Sequence, residues 1–233
     1  MFDFMLLGLE TGFTIFLAII GFIIVLWAQA KVSGSYRKYS KVQSQKGLSG
    51  FEVARKILDK NGLTDVHIVE TQGHLTDHYD PRRKVVRLST DVFHGDSIAS
   101  ISVAAHEVGH AIQDKDGYVY MKIRAALVPI VNFVNVLGYF ALAISIFAGI
   151  TTYLKLGIIL VLATLVFQLF TLPVEFNASN RAKQELETLG LVDNNELKMA
   201  NSMLMAAAMT YVAGVISTLI SLLRLVLMAR DSE

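Results

Sequence analysis

The chain contains no cysteine. Disulfide scaffolds, thiolate metal sites, iron–sulfur clusters and cysteine nucleophiles are therefore excluded. The redox compartment stays open, because a cysteine-free protein can face either side of a membrane. Charge is also scarce: 18% of the 233 residues are Asp, Glu, Lys or Arg, against about 25% in soluble domains. The net charge of +1 excludes a strongly basic nucleic-acid binder, although local basic patches remain possible. With 3 prolines and 16 glycines the chain is neither collagen-like nor low in complexity, and it shows no internal repeat. What fills the space is apolar: 53% of residues are hydrophobic and the mean hydropathy is +0.49.

A bilayer core of about 30 Å takes roughly 20 apolar residues in helix. Four segments meet or approach that length: 11–30, 125–150, 156–174 and 203–223. Four such runs in a chain this short predict transmembrane helices rather than a buried soluble core. The first run is not a cleavable signal. Ala28-Gln29-Ala30 has a small-x-small pattern, but Asp3 and Glu10 precede the run, no Lys or Arg does, and the run is too long. Directly after it come Lys31, Arg37, Lys38, Lys41 and Lys46. The positive-inside rule then places the N-terminus outside and residues 31–124 in the cytoplasm, with Lys122 and Arg124 in agreement. Runs two and three form a hairpin through a short link at 151–155, which returns residues 175–202 to the cytoplasm. The last span with its tail, 203–233, ends outside. The expected localisation is the cell membrane, multi-pass, with the active site on the cytoplasmic side.

Within the polar block, residues 31–50 read as a juxtamembrane linker or surface-lying stretch. Phe51, Val53, Ala54, Ile57 and Leu58 recur at helical spacing over 51–60 and stop at Asn61-Gly62. Residues 66–70 and 84–88 read as short strands separated by a polar turn through Asp80-Pro81. Asp96 or Ser97 can cap a further helix running to about Gln113. The predicted fold is a mainly α membrane protein. It has about four transmembrane helices (the first within 1–30, a hairpin over 125–174) and a small α+β cytoplasmic unit.

The last of those helices carries His106-Glu107-Val108-Gly109-His110, an H-E-x-x-H match. Residues i and i+4 share one helix face, so two imidazoles can converge on one metal ion. Glu107 is placed to take a proton from an activated water and pass it to a leaving amine. A catalytic zinc wants three protein ligands and an open position. Asp116 follows His110 by six residues, but the turn that would swing it under the metal normally needs glycine where Gln113 stands. His74, His78 and His94 lie in the polar block without diagnostic spacing. Glu175 follows the third apolar run directly, where an acid is costly without a partner, although Arg181 is a possible one. Two crossings separate it from His110, so both fall on one membrane face. Glu175 is the favoured third ligand.

His106–His110 together with E-x-x-A-x-x-x-A at 175–182 resembles the membrane gluzincins, the group of the CAAX prenyl protease and the HtpX heat-shock protease. Over nearly its full length, including L-P-V-E-F-N-A-S at 172–179, the chain is similar to a related bacterial family of neutral zinc metallopeptidases of the membrane. The resemblance implies one zinc ion per chain held by His106, His110 and Glu175, with Glu107 as catalytic base. The gluzincin motif usually reads E-x-x-A-D, and Ser179 stands in the place of the Asp that would orient a histidine. The implied activity is that of an integral-membrane zinc metalloendopeptidase acting on membrane-associated protein substrates. The implied partners are a protein or peptide substrate and the lipid bilayer, with no nucleic acid. In such proteases the substrate adds as a strand near the motif helix. Residues 84–88 are the expected edge, Asn177 or Asn180 would position substrate, and His78 or Tyr79 would steady an oxyanion. Two other readings compete. An intramembrane protease would need 97–113 to span, against three serines and flanking aspartates. A catalytically inactive metal-dependent scaffold or assembly factor would have no use for Glu107.

Overall fold

Apolar runs too long for a soluble core become the long helices of the molecule. A computed structural model describes residues 2–147 and 153–230. The long helices are α1 (Phe2–Tyr39), α5 (Val119–Phe147), α6 (Tyr153–Thr188) and α7 (Asn194–Arg230). Between α1 and α5 lie α2 (Gly50–Lys60), β1 (His67–Thr71), β2 (His78–Asp80), β3 (Val85–Ser89), α3 (Thr90–Phe93) and α4 (Ile98–Lys115). The chain is a mainly α membrane protein; the described residues include four helices long and apolar enough to cross a bilayer and one three-stranded sheet. Of the expected link at 151–155, Thr151 and Thr152 lie outside the described residues, as do the last three residues of the second apolar run.

Two compact units emerge. One comprises residues 1–29, 123–171 and 210–233. Its outward side chains are apolar: Phe22, Phe133, Phe140 and Ile144 are each 64–67% exposed, which lipid tolerates and water does not. Its helices meet over small residues. A Cβ on Gly138 would run into Leu160, and one on Gly21 would lie 3.4 Å from Ser217 Oγ.

The other unit comprises residues 30–122 and 172–209 and has its own core. Amphipathic α2 buries Val53, Ala54, Ile57 and Leu58, the face its spacing predicts. Ser49 and Glu52 form a reciprocal capping box at its start: Glu52 Oε2 accepts the Ser49 amide at 2.8 Å, and Ser49 Oγ accepts the Glu52 amide at 3.3 Å. Gly50 lies so close to α3 that a Cβ there would strike the Val92 carbonyl oxygen. Ser97 caps α4, accepting from Ser100 N at 3.1 Å, and most of α4 is buried within this unit. That burial by protein explains how a helix with three serines carries so many apolar residues without spanning lipid.

Three boundaries differ from expectation. The first helix continues through Tyr39, so the stretch read as a linker from residue 31 is helical for nine more residues. Loss of apolar character ends a membrane span, not a helix, and Lys, Arg and Ser all tolerate helical backbone. Residues 175–202, expected as a third-ligand helix between the spans, are instead divided between two helices: α6 runs unbroken through Pro173 and Glu175 to Thr188, and α7 starts at Asn194. The sheet order is β1-β3-β2, with β1 parallel and β2 antiparallel to β3. The 84–88 strand expected as an edge is thus the central one, with Val85, Val86, Leu88 and Ser89 buried. Apolar side chains on both faces are the mark of a covered strand.

Removing the Ser49 cap with Ser49→Ala should cost about 1 kcal/mol. That corresponds to an apparent melting temperature lower by about 2–4 °C. Gly50→Ala should cost more, about 1–3 kcal/mol, because the clash is with backbone that cannot rotate away. Thermal unfolding of the detergent-purified protein, followed by circular dichroism, measures both.

Candidate metal centre

Two adjacent helical faces build the centre. On α4 the four-residue spacing stacks His106 and His110, with ring centroids 4.8 Å apart and planes at 83°. Residue Gly109 lets α6 come close: a Cβ there would sit 2.6 Å from the Ala178 carbonyl oxygen. Ala178 and Ala182, one turn apart on α6, are fully buried in that approach. The Glu175 carboxylate is thereby brought 3.3 Å from His106 Nε2 and 3.7 Å from His110 Nε2, through the same Oε2.

These three residues place their ligand atoms within 4.8 Å of one another. A tetrahedral ion with bonds of about 2.0–2.1 Å needs donors about 3.4 Å apart. Two imidazole nitrogens and one carboxylate oxygen are a donor set that suits zinc and leave a fourth position free. Burial raises the stakes: the Glu175 side chain is 3% exposed, His110 10% and His106 16%. A carboxylate so deeply desolvated persists only with cationic or hydrogen-bonding partners. At His110 burial acts against the protonated ring, but the Glu175 carboxylate as acceptor and the charges of Glu107 and Glu175 outweigh it and hold the value above the ordinary one.

Both histidines are oriented from behind. His106 Nδ1 lies 3.2 Å from Ser179 Oγ, so the residue in place of the usual acid still reaches the ring, as a neutral hydroxyl. Fully buried Gln113 accepts from His110 Nδ1 at 3.0 Å and donates to the Val174 carbonyl at 2.8 Å. The Gln113 contact has one signal in the sequence, its i+3 spacing from His110. The absence of glycine at that position points the same way, since the chain does not turn there. Glu107 is buried and forms no hydrogen bond or ion pair among the described residues.

The other residues weighed as ligands are engaged elsewhere. Asp116 pairs with Arg181 Nη1 at 2.6 Å. Arg181, weighed above as a partner for Glu175, also donates to Asn177 Oδ1 at 2.8 Å. Exposed His74 pairs with Asp91 at 3.4 Å, and His94 with Glu70 at 3.3 Å. His78 Nδ1 sits 2.8 Å from the Thr76 carbonyl oxygen. The Tyr79 hydroxyl donates to Asp114 Oδ2 at 2.9 Å, and burial and then that carboxylate push it well above the ordinary phenol range. The Tyr79 hydroxyl is thus committed to Asp114, while the contact at His78 engages only Nδ1. Asn177 is held within the protein by Gln113 and Arg181, while Asn180 is exposed.

Residues 14–230 match the family described as "Putative neutral zinc metallopeptidase". Over 213 residues the chain is 48% identical to "Putative membrane protease YugP" of Bacillus subtilis (strain 168), an alignment covering 91% of this chain and 95% of that relative. No solved structure matches.

Because the obstacle beside Gly109 is backbone, Gly109→Ala should separate α4 from α6 at a cost of about 1–3 kcal/mol. It should also weaken metal binding in equilibrium dialysis. The raised His110 value has a sign. In metal-free protein the protonated ring adds stability that is fully present below about pH 6.5 and is lost as pH rises through the raised value. Metal needs the neutral ring, so its affinity should fall as pH falls. The melting difference between chelator-treated wild type and His110→Ala should shrink as pH rises from about 6.5.

Proposed function

The chain belongs to this neutral zinc metallopeptidase family, and we propose that it is an integral-membrane zinc metalloendopeptidase of gluzincin type working at the cytoplasmic face. The observation that carries this reading is the convergence of three donors from α4 and α6 with a second buried acid, Glu107, that forms no hydrogen bond or ion pair among the described residues. A structural zinc site closes with a fourth protein ligand and has no need of a spare carboxylate. A scaffold role gains no comparable support.

His106, His110 and Glu175 would hold one zinc ion per chain. When bound, zinc supplies a Lewis acid that polarises a carbonyl oxygen and acidifies water. Glu107 accepts a proton from the attacking water on its carboxylate and delivers it to the leaving amine nitrogen. Ser179 and Gln113 hold the two rings still while this happens. The exposed edge strand next to α4 is β2, tied to it by the Tyr79 to Asp114 hydrogen bond. An extended substrate segment pairs there with backbone hydrogen bonds.

Sidedness follows from parity. His110 and Glu175 meet, and the runs at 125–150 and 156–174 lie between them, so two crossings return the chain to one face. The basic cluster after the first run makes that face the cytoplasmic one. The regions 31–124 and 175–202 then lie together on that side, and membrane-associated proteins are the substrates.

Metal analysis of protein purified without chelator should give about one zinc per chain, lost in His106→Ala, much reduced in Glu175→Gln and retained in Asp116→Asn. Glu107→Gln should keep the zinc and lose about 10²–10⁴-fold in kcat on a quenched fluorescent peptide library. Zinc retained in Glu175→Gln but lost in Asp116→Asn would overturn the ligand assignment. Unchanged turnover in Glu107→Gln would overturn the mechanism.

A further inference from the structure

The hydrogen bonds behind His110 run in one direction only. Arg181 is the starting point, because a guanidinium donates and never accepts. Its Nε lies 2.8 Å from the Asn177 carboxamide, so the atom facing it must be the oxygen Oδ1. The Gln113 carboxamide approaches that same oxygen at 3.0 Å and must present its nitrogen. A second constraint agrees: the Val174 carbonyl, an acceptor only, stands 2.8 Å from the same Gln113 nitrogen. With Nε2 committed twice, Gln113 Oε1 is what faces His110, and it can only accept. The ring nitrogen 3.0 Å away, Nδ1, must then carry the proton. In the neutral ring, the form that a metal needs, this leaves Nε2 with its lone pair, on the side where Glu175 lies.

We propose that Gln113 is a positioning residue for the metal, setting the tautomer of His110 through a hydrogen-bond relay that begins at Arg181 and passes through Asn177. Gln113 joins the ligand helices directly, since one end of its side chain holds a ring on α4 and the other holds the α6 backbone next to Glu175. Asp116 has a place in this relay without touching the metal. At 2.6 Å from Arg181 Nη1 it holds the guanidinium that starts the chain of donors. An apolar side chain of similar volume would fill the same buried space and do none of this. The inference rests on the reading of His106, His110 and Glu175 as zinc ligands.

The test is zinc affinity of the full-length, detergent-purified protein by competition with a chelator of known strength. The proteins compared are wild type, His106→Ala, Gln113→Leu and Gln113→Glu, each with the melting temperature of its metal-free form. Gln113→Leu should bind zinc about 10- to 100-fold more weakly while its metal-free form melts near wild type. Gln113→Glu, which still accepts the Nδ1 proton, should recover most of the affinity, and its Co2+ form should keep the wild-type visible absorption. Wild-type affinity in Gln113→Leu overturns the inference. Equal losses in both variants, tracking a lowered melting temperature, overturn it in favour of simple packing. If Gln113→Leu does not fold, Gln113→Glu decides alone: retained affinity supports the side chain at 113 as the acceptor that sets the His110 tautomer, and lost affinity overturns it. Zinc binding that needs His106 but ignores Gln113 defeats this inference only, whereas no His106-dependent zinc in wild type defeats the ligand reading as well.

Discussion

The centre depends on how near α6 runs to α4. A glutamate side chain is short, and Glu175 reaches both imidazoles only because the helix backbones almost touch at Gly109 and Ala178. Small residues make that contact possible, and it fixes the register between the helices. Once the register is fixed, burial does the rest. A carboxylate removed from water is costly unless it is paired, and both imidazoles lie within reach of it. The motif histidines and the downstream acid thus stabilise one another before any metal is considered.

Helical periodicity also accounts for the supporting contacts. Gln113 stands three residues after His110, and Ser179 four residues after Glu175, so each supporter projects from the same face as the ligand it accompanies. Arg181 stands four residues after Asn177 for the same reason. The two helices supply ligands and supporters as interleaved rows, and each histidine is held from the helix opposite or from its own next turn.

Much of this was legible in residue spacing. The i, i+4 histidines, the neighbouring glutamate and the apolar runs carry short-range or compositional signals that need no tertiary information. Glu175 was reachable through membrane parity and the cost of an acid at the edge of an apolar run. Other features had no such signal. Strand β2 is three residues, His78–Asp80, without an apolar pattern, and the position of β3 between its neighbours is a property of pairing rather than of its own sequence. The continuity of α1 and α6 beyond their apolar stretches was hidden because hydropathy reports the solvent around a helix and not the helix itself. Asp116 and Gln113 show the limit most clearly: both stand at suggestive distances from His110, and only the packing of α6 distinguishes a salt-bridge partner from a hydrogen-bonding one.

The placement of the third donor also bears on how the protein is made. A ribosome releases the α4 histidines first, and the whole of α5 and most of the apolar part of α6 must follow before Glu175 exists. A nascent chain therefore carries two histidines with no carboxylate to complete them until the hairpin has been delivered. Completion of the centre waits on the synthesis of α5 and the apolar part of α6, so a chain stalled or cut between these points holds an unfinished site. A centre encoded this way can form only after α5 and the apolar part of α6 have been made, with α7 still to come.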